Sequence, residues 1–400
     1  MSSASRSFHD FLGDLLLEMG FKPSRADPDL WIIKSIHHDG YDYIATWVDD
    51  IICVAKEPQY YISKIEQRFK LRNVEVNPSY YLGMNLKRQQ DGLLHLSCHT
   101  YIKEAIRKYE KEHQCLRKYP SPMETDAHPE NDQSPFLDET KHRQFQKIIG
   151  ICQWICQNGR MDITFATSSL SRFSSQPREK HLEMAQRILG YLKQEPKRGI
   201  VVNPNNPIYG NKRYETCELT EDFGQQYHYF KEDIDPKFPE PKVQGIAITF
   251  FCDSDHSHDL VTGRSMTGII GFVGSTPVVA RSTRQSSVQT STYGAELTAA
   301  KTATEEIIQV RYFLRSMGVL VNEATPLFID NEGVVLNTTN PLSSLNKKAL
   351  ALAYHSVREH QHGGVISVRK IGTDDNYADP FTKPLNSAKF RGFFRNTMRN

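Results

Sequence analysis

The stretch IAITFFCDSDHSHDLVTGRSMTGIIGFVGSTPVVAR, residues 246–281, decides the fold. It contains three apolar runs bounded by polar residues and glycines, and such runs predict β-strands over 246–252, 268–273 and 278–281. A long helical pattern follows over 292–317, then a strand at 327–329, further helices and a strand near 365–371. Consecutive strands followed by alternating helices and strands predict an α/β unit of roughly 140 residues.

The N-terminal part of the chain shows a different order of elements. Apolar residues recur at helical spacing over 8–19, and strand-like runs follow at 30–33 and 43–54. Only Asp49 and Asp50 interrupt the second run, so we expect a β-hairpin with acid at its tip. Because apolar residues flank the pair on both sides, the hairpin is expected to be buried.

The middle of the chain combines helices with two irregular segments. Residues 120–135 contain four prolines and no apolar periodicity, which predicts an extended connector. Residues 203–242 contain five prolines and an excess of acids, which predicts an irregular, solvent-facing insertion. Helical periodicity between these segments predicts helices over 145–157, 163–173 and 181–192.

Composition excludes several classes of protein. There are 49 Lys and Arg against 47 Asp and Glu, so no global positive charge draws the chain to nucleic acid. The sequence contains no run of about 18 apolar residues, so it predicts no membrane span. The N-terminus lacks the pattern of a secretion signal. The seven cysteines are scattered and odd in number. We therefore expect a reduced, intracellular protein.

Four acids follow or begin predicted elements of the α/β unit. Asp253 and Asp330 end apolar strands, Glu296 lies in the predicted first turn of the long helix, and Asp379 follows a short loop. If these carboxylates converge, they repel one another unless cations neutralise them. Two Mg²⁺ ions would do so and would support phosphodiester cleavage. The alternative is that each acid caps a helix or forms a turn.

Two further features permit two interpretations each. Asp49 and Asp50 are either turn residues or metal ligands, and their spacing favours neither. The C-terminal stretch KFRGFFRNTMRN, residues 389–400, alternates cations with phenylalanines. It predicts either a surface for nucleic acid or an amphipathic helix docked on the domain.

Several segments together resemble copia-type retrotransposon Pol polyproteins. YDYIATWVDDIICVAK, starting at Tyr41, resembles the later part of a reverse transcriptase palm. QWICQNGRMDITFATSSLSRF, starting at Gln153, resembles the helical region that follows. CDSDHSHDLVTGRSMTGIIGFV, SSVQTSTYGAELTAA, FIDNEGVV, YHSVREH and NYADPFTKPL resemble the ribonuclease H domain, in order. The resemblance covers nearly the whole chain.

The resemblance implies an α/β and α+β multidomain chain. It would contain a partial reverse transcriptase palm hairpin, a helical connection region and a ribonuclease H-like βββαβα domain. The expected segments are a partial palm at 1–119, an extended linker at 120–142, a helical thumb or connection region at 143–202, an acidic insertion at 203–243, the ribonuclease H-like domain at 244–385 and a basic aromatic tail at 386–400.

The resemblance also implies roles for the acids. Asp253, Glu296, Asp330 and Asp379 would be the catalytic, metal-binding acids of the ribonuclease H site, holding two Mg²⁺ ions that Mn²⁺ could replace. The substrate would be an RNA/DNA hybrid. The location would be cytoplasmic, in virus-like particles, or alternatively nuclear, with no membrane partner.

Asp49 and Asp50 match the acidic pair of the polymerase motif. They would bind Mg²⁺ only if a further acid from an earlier palm strand completed the site, and residues 1–48 offer no suitable one. We therefore expect a C-terminal portion of a polyprotein, active as a reverse transcriptase only with upstream fingers, palm and integrase segments.

Two residues depart from the pattern of the relatives. Trp47 stands where they usually have Tyr, and Ala349 stands after Lys347 and Lys348 where they usually have His. These departures leave an alternative function open, that of a catalytically inactive relic or a domesticated nucleic-acid-binding protein.

Overall fold

A computed structural model of the chain describes residues 3–205, 227, 230–345 and 348–399. Most of the predicted acidic insertion lies outside these residues. The chain forms two compact units. The first comprises Met1–Pro78, Asp233–Ile246 and Ile308–Glu323, and the second comprises Ser79–Glu232, Ala247–Ile307 and Ala324–Asn400. Among the described helices, none has the length and apolar character needed to cross a membrane.

The first unit contains an antiparallel sheet in the order β1-β2-β3-β4. The first helix, α1 (Ser3–Glu18), is followed by Gly20, whose φ of 92° is a conformation that favours glycine. The chain then turns back, and the Phe21 amide donates to the Leu16 carbonyl at 2.9 Å. Leu16 and Phe21 are buried with Ile44 of the sheet. The elements are α1 (Ser3–Glu18), β1 (Lys22–Pro23), β2 (Leu30–Lys34), β3 (Tyr41–Trp47), β4 (Asp50–Val54) and α2 (Pro58–Glu66).

The second unit begins with a small antiparallel sheet, β5-β6-β7-β8, and four helices. The predicted helices of the middle region are confirmed. Helix α4 starts earlier than its periodicity predicted, because the Asp138 side chain caps it by accepting from the Lys141 amide at 2.9 Å. The elements are β5 (Tyr80–Tyr81), β6 (Met84–Arg88), β7 (Leu94–Ser97), α3 (His99–Glu112), α4 (Glu139–Gln157), α5 (Thr164–Ser171), α6 (Glu179–Gln194) and β8 (Ile200–Val202).

A five-stranded mixed sheet completes the second unit and confirms the predicted α/β fold class. Its strand order is β11-β10-β9-β12-β13. Strands β9, β10 and β11 are antiparallel, whereas β12 runs parallel to both β9 and β13. The elements are β9 (Ile248–Asp259), β10 (Arg264–Val273), β11 (Thr276–Arg284), α7 (Thr292–Ser316), β12 (Thr325–Ile329), α8 (Glu332–Thr339), α9 (Ala351–His362), β13 (Ile366–Lys370) and α10 (Ser387–Thr397).

The compact units do not divide at the proline-rich connector. Residues 79–119 belong to the second unit, and Met123 of the connector is 4% exposed within its core. One apolar cluster joins Ile148 of α4 to Phe272 of β10 and Phe394 of α10. The helical region and the mixed sheet therefore share one core.

Candidate metal centre

Three of the four predicted acids meet at one point of the mixed sheet. Each of Asp253, Glu296 and Asp330 offers a carboxylate oxygen, and these three oxygens lie within 4.8 Å of one another. This is the one group of three or more acid, histidine or cysteine ligands found in the described residues.

Strand register explains why Asp253 and Asp330 are neighbours. β12 runs parallel to β9 with Leu327 opposite Phe250 and Phe328 opposite Phe251. Two more steps in this register bring Asp330, just past the end of β12, beside Asp253. The parallel register therefore places a carboxylate in the middle of β9 beside one just past the end of β12.

The third acid comes from the long helix. Glu296 is the fifth residue of α7, in its second turn, whereas the sequence predicted the first turn. One oxygen of Glu296, Oε1, accepts from the Ser254 amide at 3.2 Å, which fixes the side chain beside Asp253. The other oxygen, Oε2, is buried and has no hydrogen-bond partner among the residues that the structure describes. An orphaned buried carboxylate oxygen is costly unless a cation or proton meets it.

The electrostatics of the cluster are those of acids without a counter-ion. Burial and the nearby Asp330 raise the pKa of Asp253 to about 6, although a hydrogen bond from Thr382 opposes the shift. Burial, Asp253 and Asp330 raise the pKa of Glu296 well above its ordinary value. Mg²⁺ and other hard divalent ions prefer carboxylate oxygens, so this donor set fits such an ion.

Asp379 lies close to this group but outside it. It begins a single 3₁₀ turn, Asp379–Phe381, and is 1% exposed. Its Oδ1 contacts the Lys383 ammonium at 2.6 Å, and its Oδ2 contacts the Lys389 ammonium at 2.9 Å. The fourth predicted acid is therefore paired with two lysines.

A glycine on β10 allows this turn to approach the cluster. Gly268 lies directly opposite Asp253 in the antiparallel register. A Cβ at Gly268 would lie 2.7 Å from both the Ala378 carbonyl oxygen and a methyl of Thr382. With glycine there, the Thr382 hydroxyl donates to Asp253 Oδ2 at 2.6 Å. Contacts between residues this far apart in sequence give no signal in spacing.

The docked-helix interpretation of the C-terminal stretch is the one that the structure supports. Phe390 and Phe394 of α10 are 5% and 2% exposed, so these rings pack in the core. Lys389, on the first turn of α10, faces Asp379, while Arg391 and Arg395 are exposed. The sequence suggested phosphate contacts for Lys389 and gave no sign of its acidic partner.

The hairpin that carries Asp49 and Asp50 forms as predicted, but its tip is exposed rather than buried. β3 and β4 pair from Tyr43–Val54 to Trp47–Asp50. Trp47 is 60% exposed and both acids are exposed, because β4 is the edge strand of its sheet within the described residues. Val48 at the turn has a φ of 57°, which is unusual for a β-branched residue.

The remaining departures lie on the surface or outside the described residues. Ala349 is exposed in the 3₁₀ turn Lys348–Leu350. Lys347 and most of the acidic insertion are outside the described residues. The exposed position of Ala349 gives no contact that explains its replacement of His.

Comparison with known proteins confirms the predicted resemblance. The chain is 25% identical over 398 residues to the retrovirus-related Pol polyprotein from transposon RE1 of Arabidopsis thaliana, covering 98% of this chain and 24% of the relative. It is 21% identical over 400 residues to that from transposon TNT 1-94 of Nicotiana tabacum, covering 98% and 27%. The chain thus spans about a quarter of the length of these relatives. No protein-family model matches it.

Among solved structures, one similar chain is LC11-RNase H1 in complex with an RNA/DNA hybrid. It is 15% identical with a TM-score of 0.27, covering 34% of this chain and 93% of that one. Another is a foamy viral protease-reverse transcriptase in complex with an RNA/DNA hybrid. It is 12% identical with a TM-score of 0.25, covering 85% of this chain and 58% of that one.

Proposed function

We propose that this chain, similar over nearly its whole length to retrovirus-related Pol polyproteins, is a Pol segment that cleaves the RNA strand of RNA/DNA hybrids. The reaction is ribonuclease H hydrolysis and depends on Mg²⁺, with Mn²⁺ as a substitute. The chain works inside the cell, in virus-like particles, as part of a larger polyprotein.

The observation that carries this proposal is the group formed by Asp253, Glu296 and Asp330. Their oxygens lie within 4.8 Å of one another, and two of these residues are buried. Three such carboxylates without a cation are strongly unfavourable. A protein that keeps them together has a use for a cation there.

Some residues of the centre are proposed to bind the ions, and others orient these ligands. Asp253, Glu296 and Asp330 are the proposed ligands, and Asp379 is the proposed fourth. The Thr382 hydroxyl and the Ser254 amide orient the first two acids. Divalent ions bound there would supply an activated water and stabilise the departing 3′ oxygen.

Substrate recognition would rest on the shape of the hybrid. Selecting the RNA strand of a hybrid needs contacts to the backbone and to the RNA 2′-hydroxyl, and no reading of base sequence is required. This agrees with a near-neutral chain in which local rather than global charge meets phosphate.

Asp49 and Asp50 are proposed as a remnant of the polymerase site. In the described residues no third ligand joins them at the distance found in the nuclease cluster. DNA synthesis therefore belongs to the intact polyprotein, in which upstream palm and finger segments are expected to complete the site.

The test is cleavage of a labelled RNA/DNA hybrid by the purified full chain with Mg²⁺. We expect cleavage of the RNA strand, and a loss of about a hundredfold or more in Asp330→Asn. Glu332→Gln is the matched control, because Glu332 is an exposed acid two residues further along that is not in the group. It should cleave at the rate of the unaltered chain.

Two results would contradict the proposal. One is an intact hybrid under conditions in which a known ribonuclease H cuts it. The other is equal cleavage by the unaltered chain and by Asp330→Asn. If both forms bind the hybrid equally and neither cleaves it, the inactive nucleic-acid-binding alternative is selected.

A further inference from the structure

Asp379 is the one predicted acid of the centre whose charge is already matched within the protein. Its carboxylate lies between Lys383 at 2.6 Å and Lys389 at 2.9 Å. Their side chains are 39% and 33% exposed, so both ammonium groups can also reach solvent. Lys389 is shared with Asp374, whose Oδ1 lies 3.5 Å from the same ammonium group, so the two lysines are matched by two acids.

The position of Lys389 is fixed by the docking of the whole C-terminal helix. Asn386 caps α10 by accepting from the Lys389 amide at 3.0 Å. The buried rings of Phe390 and Phe394 anchor the following turns. After the helix, the Arg399 amide and carbonyl bond to Gly199 at 3.0 and 2.8 Å. Lys389 is therefore held beside Asp379 by contacts along the entire helix.

The two sides of the centre differ in their direct ion-pair partners. Asp253, Glu296 and Asp330 concentrate negative charge, and no ion pair with Lys or Arg is found for any of them among the described residues. At Asp379, Lys383 and Lys389 oppose the approach of a cation. A first divalent ion is thus attracted to the three acids, whereas a second ion at Asp379 must displace an ammonium group.

We propose that the free protein binds one divalent ion, at Asp253, Glu296 and Asp330. Lys383 and Lys389 occupy the carboxylate of Asp379 and keep a second ion from binding there. A second ion binds at Asp379 only when one of the lysines leaves. Lys383 and Lys389 are positioning residues that set the number of bound ions. This inference rests on the proposed metal-dependent nuclease function.

The test is a Mn²⁺ titration of the full chain, with bound ions counted by electron paramagnetic resonance and calorimetry. The unaltered chain should bind one ion, with a second binding at least about tenfold more weakly. Lys389→Gln should tighten the second ion at least about tenfold, and adding Lys383→Gln should tighten it further. Lys389→Arg, which keeps the charge, should bind as the unaltered chain does.

Arg395→Gln is the matched control, because it removes one positive charge from the same helix at an exposed position away from Asp379. It should leave both ions unchanged. Thermal unfolding of each variant verifies that it folds, and a loss of folding alone would not tighten an ion.

Three results would overturn the inference. Two ions of similar affinity in the unaltered chain would refute it while leaving the nuclease proposal intact. The same holds if removal of both lysines changes the second ion no more than Arg395→Gln does. If no ion binds to the unaltered chain, both this inference and the proposed function fail.

Discussion

The metal-free cluster should destabilise the protein, and Asp253→Asn should relieve that cost. Burial and Asp330 raise the pKa of Asp253 from 3.8 to about 6. Because the folded state holds the proton more tightly than the unfolded state, stability falls as the pH rises from about 4 to about 6. A shift of about two units corresponds to about 3 kcal/mol above pH 6.

We therefore expect Asp253→Asn to raise the free energy of unfolding by about 2 to 3 kcal/mol near pH 7.5 in EDTA. This corresponds to a rise in Tm on the order of 5 °C. Near pH 4 both forms are largely uncharged at this position, so the gain should fall below about 1 kcal/mol. The measurement is thermal unfolding of the full chain by circular dichroism at both pH values.

Asp255→Asn is the control for this experiment. Asp255 lies two residues further along β9, is 32% exposed and pairs with His258 at 2.7 Å, so its removal should not stabilise the fold. Saturating Mg²⁺ should reverse the order, because an ion that binds only the folded state stabilises the unaltered chain. A Tm for Asp253→Asn at or below that of the unaltered chain near pH 7.5, or an equal gain at both pH values, would refute the reasoning.

Three further substitutions test other parts of the structure. Gly268→Ala should lower the free energy of unfolding by about 1 to 3 kcal/mol in urea denaturation, because the added methyl displaces the turn that carries Asp379. The same displacement should slow hybrid cleavage. Unchanged stability would contradict this close approach. Asp259→Asn should lower the free energy of unfolding by about 3 kcal/mol in the same assay, since it leaves two arginines without their shared carboxylate. A decrease below about 1 kcal/mol would show that this ion cluster is dispensable. Joint replacement of Asp49 and Asp50 by Asn should leave hybrid cleavage unchanged, and the unaltered chain should not extend a primer; primer extension by this chain would overturn the interpretation of the pair as a remnant.

Sequence patterns and the family resemblance together predicted the α/β unit and four acids, three of which meet on its sheet. Asp253 and Asp330 each end an apolar run, and the parallel pairing of β9 with β12 brings these two points together, although β9 itself continues to Asp259. Glu296 is separated from them by many residues, but it lies near the start of the helix that precedes β12. Local patterns predict this geometry because strands and helices leave few alternatives for their ends.

The partners of Asp379 could not be predicted in this way. Its place after a short loop and the family resemblance suggested a fourth metal ligand, whereas its carboxylate contacts Lys383 and Lys389. Which cation reaches a carboxylate depends on how α10 docks, and that is set by the packing of Phe390 and Phe394. The prediction that the acidic hairpin is buried was wrong for a related reason. Apolar residues on both sides of the pair do not reveal whether a neighbouring strand covers them.

The contacts of β9 indicate that the acidic centre depends on residues outside the predicted domain of 244–385. This strand carries Asp253 in its middle and Asp259 at its end. Asp259 accepts hydrogen bonds from Arg172, just after α5, at 2.8 Å and from Arg284 of β11 at 2.6 Å. Although burial opposes the shift, these contacts lower the pKa of Asp259 to about 2.

The Ser168 hydroxyl of α5 also donates to the Ser282 carbonyl of β11 at 2.7 Å. At the other end of the chain, Lys389 beyond residue 385 meets Asp379. The helical region therefore braces the strand that bears one acid, and the C-terminal helix supplies the counter-ion of another. A chain cut at 244 and 385 would lose both supports, so the unit that determines the chemistry of the centre is the larger one, which includes the connection helices and α10.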